Sequence, residues 1–163
     1  SAKLFEYLNS LSAESCSRFG PHLFDRETIA AICLNPQAIT KRYVAESGDR
    51  IIAYMLLQPG LLEADRNRYG SRNIFFDENT TITFAPSVAD DFQNSGIGTK
   101  MFNVLLNEAK NKGYKTIVLW GGVQATNTRA VHFYEKHGFQ HMGSFWYDEK
   151  DNHDMILLLQ NTA

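Results

Sequence analysis

The chain has 163 residues, of which 44% are hydrophobic and 21% are charged, and its formal net charge is −2. These values are typical of a globular domain, and they disfavour nucleic acid or an anionic membrane as a partner. The two cysteines, Cys16 and Cys33, are too few for a disulfide framework and lack metal-ligand spacing, which favours reduced thiols in a cytoplasmic protein, and no apolar run has the length of a membrane span.

Helices are predicted at the start of the chain. Leu4, Leu8 and Leu11 recur at helical spacing. Ser12 is placed to cap a short second helix, and Asp25 is placed to cap another.

A hairpin follows, with strands at residues 41–46 and 50–57 and a turn at 47–49. The second strand is apolar almost throughout, so we expect both of its faces to be covered. Residues 61–80 then form a long polar connection. Connections of this length are often functional, so we expect it to be mobile and to contribute to a substrate site, with residues 74–76 as an anchor or an extra strand edge.

A glycine loop between a strand and a helix is the first pattern that carries chemistry. Residues 81–89 read as a strand, and residues 100–112 have apolar side chains at helical spacing before Gly113. Between them, Gly96 and Gly98 remove the Cβ atoms that would hold a bulky anion away from the backbone N–H groups of the helix start. The pattern predicts a phosphate or pyrophosphate site, with a plain strand-to-helix turn as the alternative.

Two common phosphate loops do not fit this pattern. A Rossmann fingerprint would need a third glycine where Met101 stands. A P-loop would need Gly-Lys-Ser/Thr, whereas the order here is Gly98-Thr99-Lys100.

The rest of the chain alternates strands and helices. Residues 114–120 read as a buried strand, Asn127 opens a helix that Gly138 ends, and residues 139–146 and 154–160 are two strands joined by a turn at 148–153. The order predicts an α/β fold with one mixed central sheet flanked by helices on both faces, as a single domain over residues 1–163.

Two segments of the chain resemble one family. Residues 88–98, with the pattern Gln-x-x-Gly-x-Gly beginning at Gln93, resemble the acyl-CoA pyrophosphate loop of the GNAT superfamily of N-acetyltransferases. Residues 127–139 resemble its pattern Asn-x-x-Ala-x-x-Phe-Tyr-x-x-x-Gly-Phe residue for residue. The family has a strand before its first helices, which is not seen here, so we expect either an upstream segment or a sheet without that edge strand.

The resemblance implies transfer of an acetyl group from acetyl-CoA to an amine, with no metal. It implies Tyr134 as the acid that protonates the departing thiolate. It also implies a set of cofactor contacts, made by the strand end, the loop and the start of the last helix: Val88, Ala89, Gln93, Asn94, Ser95, Gly96, Ile97, Gly98, Thr99 and Asn127.

Several features of the reaction stay open in the sequence. Pro86 has no N–H to polarise the thioester carbonyl, so that donor is not assigned. The base that accepts the proton of the amine is not identified among the candidates Asp77, Glu78, Asp90, Asp91, His22 and His132. The acceptor is expected to be a small-molecule or peptide amine, and the protein a monomer or homodimer. The alternative function is a non-catalytic acyl-CoA-binding module with the same fold.

Overall fold

The computed structural model describes residues 1–159. It contains α-helices and β-strands in the order α1 Ala2–Ser10, α2 Ala13–Arg18, α3 Arg26–Leu34, β1 Lys41–Ser47, β2 Arg50–Pro59, α4 Glu63–Gly70, β3 Thr81–Val88, α5 Ile97–Asn111, β4 Thr116–Leu119, β5 Val123–Gln124, α6 Thr128–Lys136, β6 Gln140–Tyr147 and β7 Lys150–Leu158. No helix within residues 1–159 is both long enough and apolar enough to cross a membrane.

The strands form one mixed sheet. Its order is β1-β2-β3-β4-β7-β5, and β6 pairs with β7. β3 and β4 run parallel, whereas β7 is antiparallel to β4, β5 and β6, and β1 is antiparallel to β2. The predicted fold class, a mixed sheet combined with helices, is therefore confirmed.

The residues group into two compact units. The amino-terminal unit comprises Ser1–Leu57 and Ala85–Leu106, and the carboxyl-terminal unit comprises Gln58–Phe84 and the residues from Asn107 on. The expectation of a single domain stays a prediction.

In the amino-terminal unit, β2 is the centre of the core. All residues from Ile51 to Leu57 are buried, as its apolar sequence predicts. The predicted helix caps are present, because Ser12 accepts from the N–H of Ser15 and Asp25 accepts from the N–H of Thr28.

In the carboxyl-terminal unit, residues 61–80, predicted as a long polar connection, contain a helix that was not predicted. Glu63–Gly70 is helix α4, and its Asp65 and Tyr69, four residues apart on one helix face, are fully buried. Most of the charged residues that suggested a surface loop are partners in ion pairs; Arg68, for example, joins Asp65 to Asp154.

Apolar contacts also hold this segment in place. Tyr69 packs in a cluster with the buried residues Leu61, Val118 and Ile156. Ile74 and Phe76 pack against the cluster as the predicted anchor, whereas Phe75 between them is 78% exposed.

The last hairpin also departs from its prediction. The turn was expected at residues 148–153, but it consists of Asp148 and Glu149, which both have positive φ, as in a two-residue hairpin turn. β7 therefore begins at Lys150, and Asn152 is a buried strand residue rather than part of a turn, as is Asp154, which was predicted to begin the strand. The predicted end of this strand, Gln160, lies outside the described residues. The short strand β5 was not predicted.

Candidate active site

The predicted strand–loop–helix unit is present in the amino-terminal unit. β3 ends at Val88, a single 3₁₀ turn spans Asp90–Phe92, and α5 begins at Ile97. The helix therefore starts three residues before the predicted position and takes in Gly98 and Thr99. The first N–H groups of a helix lack intrahelical acceptors and lie at the positive end of its dipole, so this start is suited to an anion.

Gly96 gives the loop its open surface. Its φ is +84°, a backbone conformation that residues other than glycine rarely adopt. A Cβ added at this position would have no heavy atom within 4 Å. Asn94 also has a positive φ of 60°. The backbone of the loop is thus turned toward open space, where a phosphate can approach it.

Gln93 holds the entry of the loop. Its Nε2 donates to the carbonyl of Val88 at 3.2 Å and lies 3.4 Å from an oxygen of Asp90. The Oγ of Ser95 donates to the carbonyl of Phe92. Gln93 therefore joins the end of β3 to the turn before the loop, and its predicted part in cofactor binding stays a prediction.

The two carboxylates before the loop are engaged in local contacts. Asp90 accepts from the N–H and Oγ of Ser12, both at 2.9 Å, and from the Oγ of Ser15 at 2.6 Å. Burial acts to raise the pKa of Asp90, but these hydrogen bonds outweigh it and the pKa is lowered. Asp91 binds Arg50 through both oxygens, and this hydrogen bonding lowers its pKa. Neither carboxylate is suited to accept a proton from an amine at neutral pH.

At the end of β3, the backbone of Ala89 already has partners. Its N–H donates to the carbonyl of Ile52 at 2.8 Å, and its carbonyl accepts from the N–H of Phe92 at 2.8 Å. The predicted contact of Ala89 with the cofactor would therefore use the second lone pair of its carbonyl. Pro86 lies within β3 and offers no N–H, as expected.

The two predicted site residues of the carboxyl-terminal unit lie on α6. Asn127 caps the helix, its Oδ1 accepting from the N–H of Ala130 at 3.3 Å. Tyr134 is 6% exposed and its ring contacts Phe133 and Phe139. Burial raises the pKa of Tyr134, so its phenol is protonated at neutral pH.

The remaining candidates for the base are two carboxylates and two histidines. Glu78 binds Arg66, a hydrogen bond that lowers its pKa, and Asp77 accepts from the N–H of Asn79. His22 has both ring nitrogens occupied, by the carbonyl of Leu23 and the hydroxyl of Tyr54. His132 is exposed on α6. Nothing in this geometry selects one of them as the base.

Comparison with known proteins decides the family. The profile of the Acetyltransferase (GNAT) family matches residues 5–139. The chain belongs to this family.

One relative of this GNAT chain is the [ribosomal protein bS18]-alanine N-acetyltransferase of Escherichia coli K12. The two are 30% identical over 99 residues, which cover 61% of this chain and 62% of the relative. The chain thus matches less than two thirds of the length of that relative.

Two solved structures show the same fold. A protein from Streptococcus mutans UA159 superposes with a TM-score of 0.72 at 22% identity, over 98% of this chain and 93% of that one. A putative acetyltransferase from Salmonella typhimurium, solved with its cofactor acetyl-CoA, has a TM-score of 0.58 at 18% identity, over 83% of this chain and 71% of that one. The predicted GNAT resemblance is confirmed.

Two polar clusters of this GNAT chain were not found from its sequence. On β6 and β7, Ser144 lies 3.4 Å from the Nε2 of His141 and 3.1 Å from the Nδ1 of His153. The second cluster joins His22 and Tyr54 to Arg42. The register of the last hairpin would have indicated the cluster around Ser144, but the turn of that hairpin was predicted wrongly. Within residues 1–159, no group of three or more His, Cys, Asp or Glu side chains could hold a metal ion.

Proposed function

We propose that the chain transfers an acetyl group from acetyl-CoA to a primary amine of a small molecule or a peptide. The observation that carries this proposal is the glycine loop at the start of α5, with Gly96 facing open space. Membership of an acetyltransferase family supports it, as do an E. coli relative named for an alanine amine and a fold neighbour that holds acetyl-CoA.

The residues of the loop fit the cofactor. The N–H groups of residues 94–99 would bind the pyrophosphate, and Gln93 would hold the loop in shape through the carbonyl of Val88. Val88 and Ala89 would contact the pantetheine arm through their backbone, as a strand adds to a sheet edge. Asn127, besides capping α6, would contact the same arm.

Acetyl-CoA supplies a thioester, whose C–S bond breaks as the amine nitrogen bonds to the carbonyl carbon. We assign the acid role to Tyr134, since a phenol with a raised pKa remains protonated and can donate to the departing thiolate. The amine must also lose a proton, and a lysine-type amine is neutral only about once in 10³ at pH 7. The residue that takes this proton is not assigned.

A second candidate function is a binding module that holds acyl-CoA without transferring the acyl group. The observation that favours it is the engagement of the candidate carboxylates, since Asp90, Asp91 and Glu78 all have lowered pKa values and local partners. Tyr134 favours the enzyme, because a module that only binds does not need a positioned phenol.

The deciding experiment follows thiol release from acetyl-CoA in the presence of a panel of amines, with calorimetry of acetyl-CoA binding in parallel. Binding together with amine-dependent thiol release supports the transferase. Binding without release from any amine supports the module, and absence of binding contradicts both. A monomer or homodimer in the cytoplasm remains our expectation, in keeping with the free thiols of Cys16 and Cys33.

A further inference from the structure

Arg42 of β1 has a positive charge that the fold does not pair. Its Nη1 donates to the carbonyl of Thr40 at 3.0 Å. Its guanidinium lies close enough to the hydroxyl of Tyr54 to oppose the rise in pKa that burial causes there. The Nε is buried and has no hydrogen-bond partner within residues 1–159. No carboxylate of that described part of the chain forms an ion pair with Arg42, whereas Arg50, close by in sequence, is paired with Asp91.

Tyr54 and His22 complete the cluster with fixed hydrogen-bond directions. Tyr54 is fully buried, and its hydroxyl lies 3.1 Å from the Nε2 of His22. The Nδ1 of His22 lies 2.8 Å from the carbonyl of Leu23, which can only accept, so we assign the ring proton to Nδ1. Nε2 then accepts from Tyr54. The cluster therefore contains one full positive charge and no negative charge.

Aromatic rings surround these polar groups. Phe19 meets Tyr54 edge to face with ring centroids 6.0 Å apart, and Phe24 meets His22 at 5.9 Å. Next to apolar rings an unpaired charge interacts more strongly with an ion than it does in water. Arg42 is itself half-buried, so part of its guanidinium remains accessible.

The cluster also contacts the strand that is proposed to hold the cofactor arm. The Oγ of Ser87 donates to the carbonyl of Tyr54 at 3.1 Å, and the next residue, Val88, is a proposed pantetheine contact. All of these residues belong to the amino-terminal unit. A group bound at Arg42 would thus lie on β1, beside β2, whose Tyr54 is hydrogen-bonded to the proposed cofactor strand β3.

We propose that Arg42, supported by Tyr54 and His22, binds a carboxylate of the acceptor, so that the acceptor class is amino acids and related molecules that carry both an amine and a carboxylate. This inference rests on the proposed acetyl transfer. A guanidinium fork matches the two oxygens of a carboxylate, and one unpaired positive charge matches one negative charge. A polyamine would bring a second cation toward Arg42 and is disfavoured for the same reason.

The test compares acceptors that differ only at the carboxylate. Leucine and γ-aminobutyrate are each paired with their carboxamides, and binding to the protein loaded with CoA is measured by calorimetry, which needs no turnover. Thiol release from acetyl-CoA is measured with the same four compounds. Conversion to the amide lowers the pKa of the leucine amine, which by itself would favour the amide, so a preference for the acid reports the carboxylate site.

We expect at least one acid to bind about tenfold or more tightly than its amide, the scale of one charge-assisted contact. Arg42→Gln should remove this preference, whereas Arg42→Lys, which keeps the positive charge, should retain part of it. Arg26→Gln, which removes an exposed charge of the same unit, should leave the preference intact. Affinity for CoA and the Tm of each variant report whether the fold is retained.

The outcomes separate this inference from the proposed function. Turnover of acids and amides at equal efficiency, or an acid preference that survives in Arg42→Gln, would overturn the carboxylate site and leave acetyl transfer standing. Binding of acids that depends on Arg42, without turnover of any amine, would contradict the transferase and support the site. Absence of binding by all four compounds would overturn the site.

Discussion

Gly96 and Gly113 have nearly the same backbone conformation, with φ of +84° and +81°, and at neither residue would a Cβ have a heavy atom within 4 Å. Gly96 precedes α5 in the proposed pyrophosphate loop, and Gly113 follows α5 in sequence. A side chain at either residue therefore meets similar backbone strain and similar open space. Comparing the same substitution at the two glycines therefore distinguishes the effect of backbone strain from the effect of lost ligand binding.

The first prediction uses this match. Gly96→Val and Gly113→Val should each destabilise the fold by about 1–2 kcal/mol, because both force an L-residue into the left-handed region. Only Gly96→Val should also weaken acetyl-CoA binding, by tenfold or more, since its side chain would occupy the phosphate path. Calorimetry with acetyl-CoA and thermal unfolding of both variants measure the two effects. Equal acetyl-CoA affinity in the two variants would show that the loop does not bind the pyrophosphate.

The second prediction concerns the acid. Tyr134→Phe keeps the ring that contacts Phe133 and Phe139, so the packing of α6 should survive. The hydroxyl is proposed to act mainly as the thiolate departs, and its loss should lower kcat on the order of 10² while the Kd for acetyl-CoA stays unchanged. Steady-state thiol release measures kcat, and calorimetry measures the Kd for acetyl-CoA. Full turnover in the Phe variant would remove Tyr134 from the mechanism.

A third prediction supplies the matched control for that substitution. Tyr69 is another buried tyrosine of the carboxyl-terminal unit, and its hydroxyl has no hydrogen-bond partner in the described chain. An unpaired buried hydroxyl costs about 1–3 kcal/mol, so Tyr69→Phe should leave stability unchanged or raise it. Its kcat should match that of the parent. Chemical denaturation measures the stability, and a clear loss in Tyr69→Phe would reveal a partner for this hydroxyl.

The glycine loop and the helix caps could be predicted from the sequence because their chemistry is local. The side chains of Ser12, Asp25 and Asn127 each bind a backbone N–H three residues along the chain. Positive φ at Gly96 and the start of α5 likewise depend on neighbouring residues. Such features leave their pattern within a few positions of sequence.

Helix α4 and the Arg42 cluster could not be predicted, because their partners are distant in sequence. Arg68 reads as a surface charge until Asp154, 86 positions away, is placed beside it. A segment rich in charged residues is read as an exposed loop when the ion-pair partners of those residues are not known. The expectation that residues 61–80 are mobile followed from that misreading, and the burial of Asp65 and Tyr69 contradicts its premise of an exposed, charged segment.

The fourth prediction tests the ion pairs that hold α4. Asp154 is fully buried and accepts from Arg68 at 2.7 and 2.8 Å and from Arg72 at 2.7 Å. Asp154→Asn should destabilise the fold by about 3–5 kcal/mol, because it removes the fully buried anion that two partly buried guanidinium groups share and leaves Arg68 with Asp65 alone. Asp91→Asn, which breaks an exposed and solvent-screened pair with Arg50, should cost far less.

Hydrogen exchange gives an independent measure of the same ion pairs. The amides of α4 should exchange slowly in the parent protein and faster in Asp154→Asn. Fast exchange of α4 in the parent would restore the sequence-based expectation of a mobile segment.

The last prediction concerns the pH dependence of stability and uses His22. Burial lowers the pKa of His22 below its ordinary value of 6.5. The unfolded chain therefore binds a proton at this residue before the folded chain does as the pH falls. The contribution of His22 to stability is fully present above about pH 6.5, and it is lost as the pH falls from there through the folded pKa.

We expect the free energy of unfolding, measured by urea titration, to fall between pH 7 and pH 5 more steeply in the parent than in His22→Gln. If His22→Gln shows the full slope of the parent, the buried neutral imidazole of His22 is not the source of the acid sensitivity.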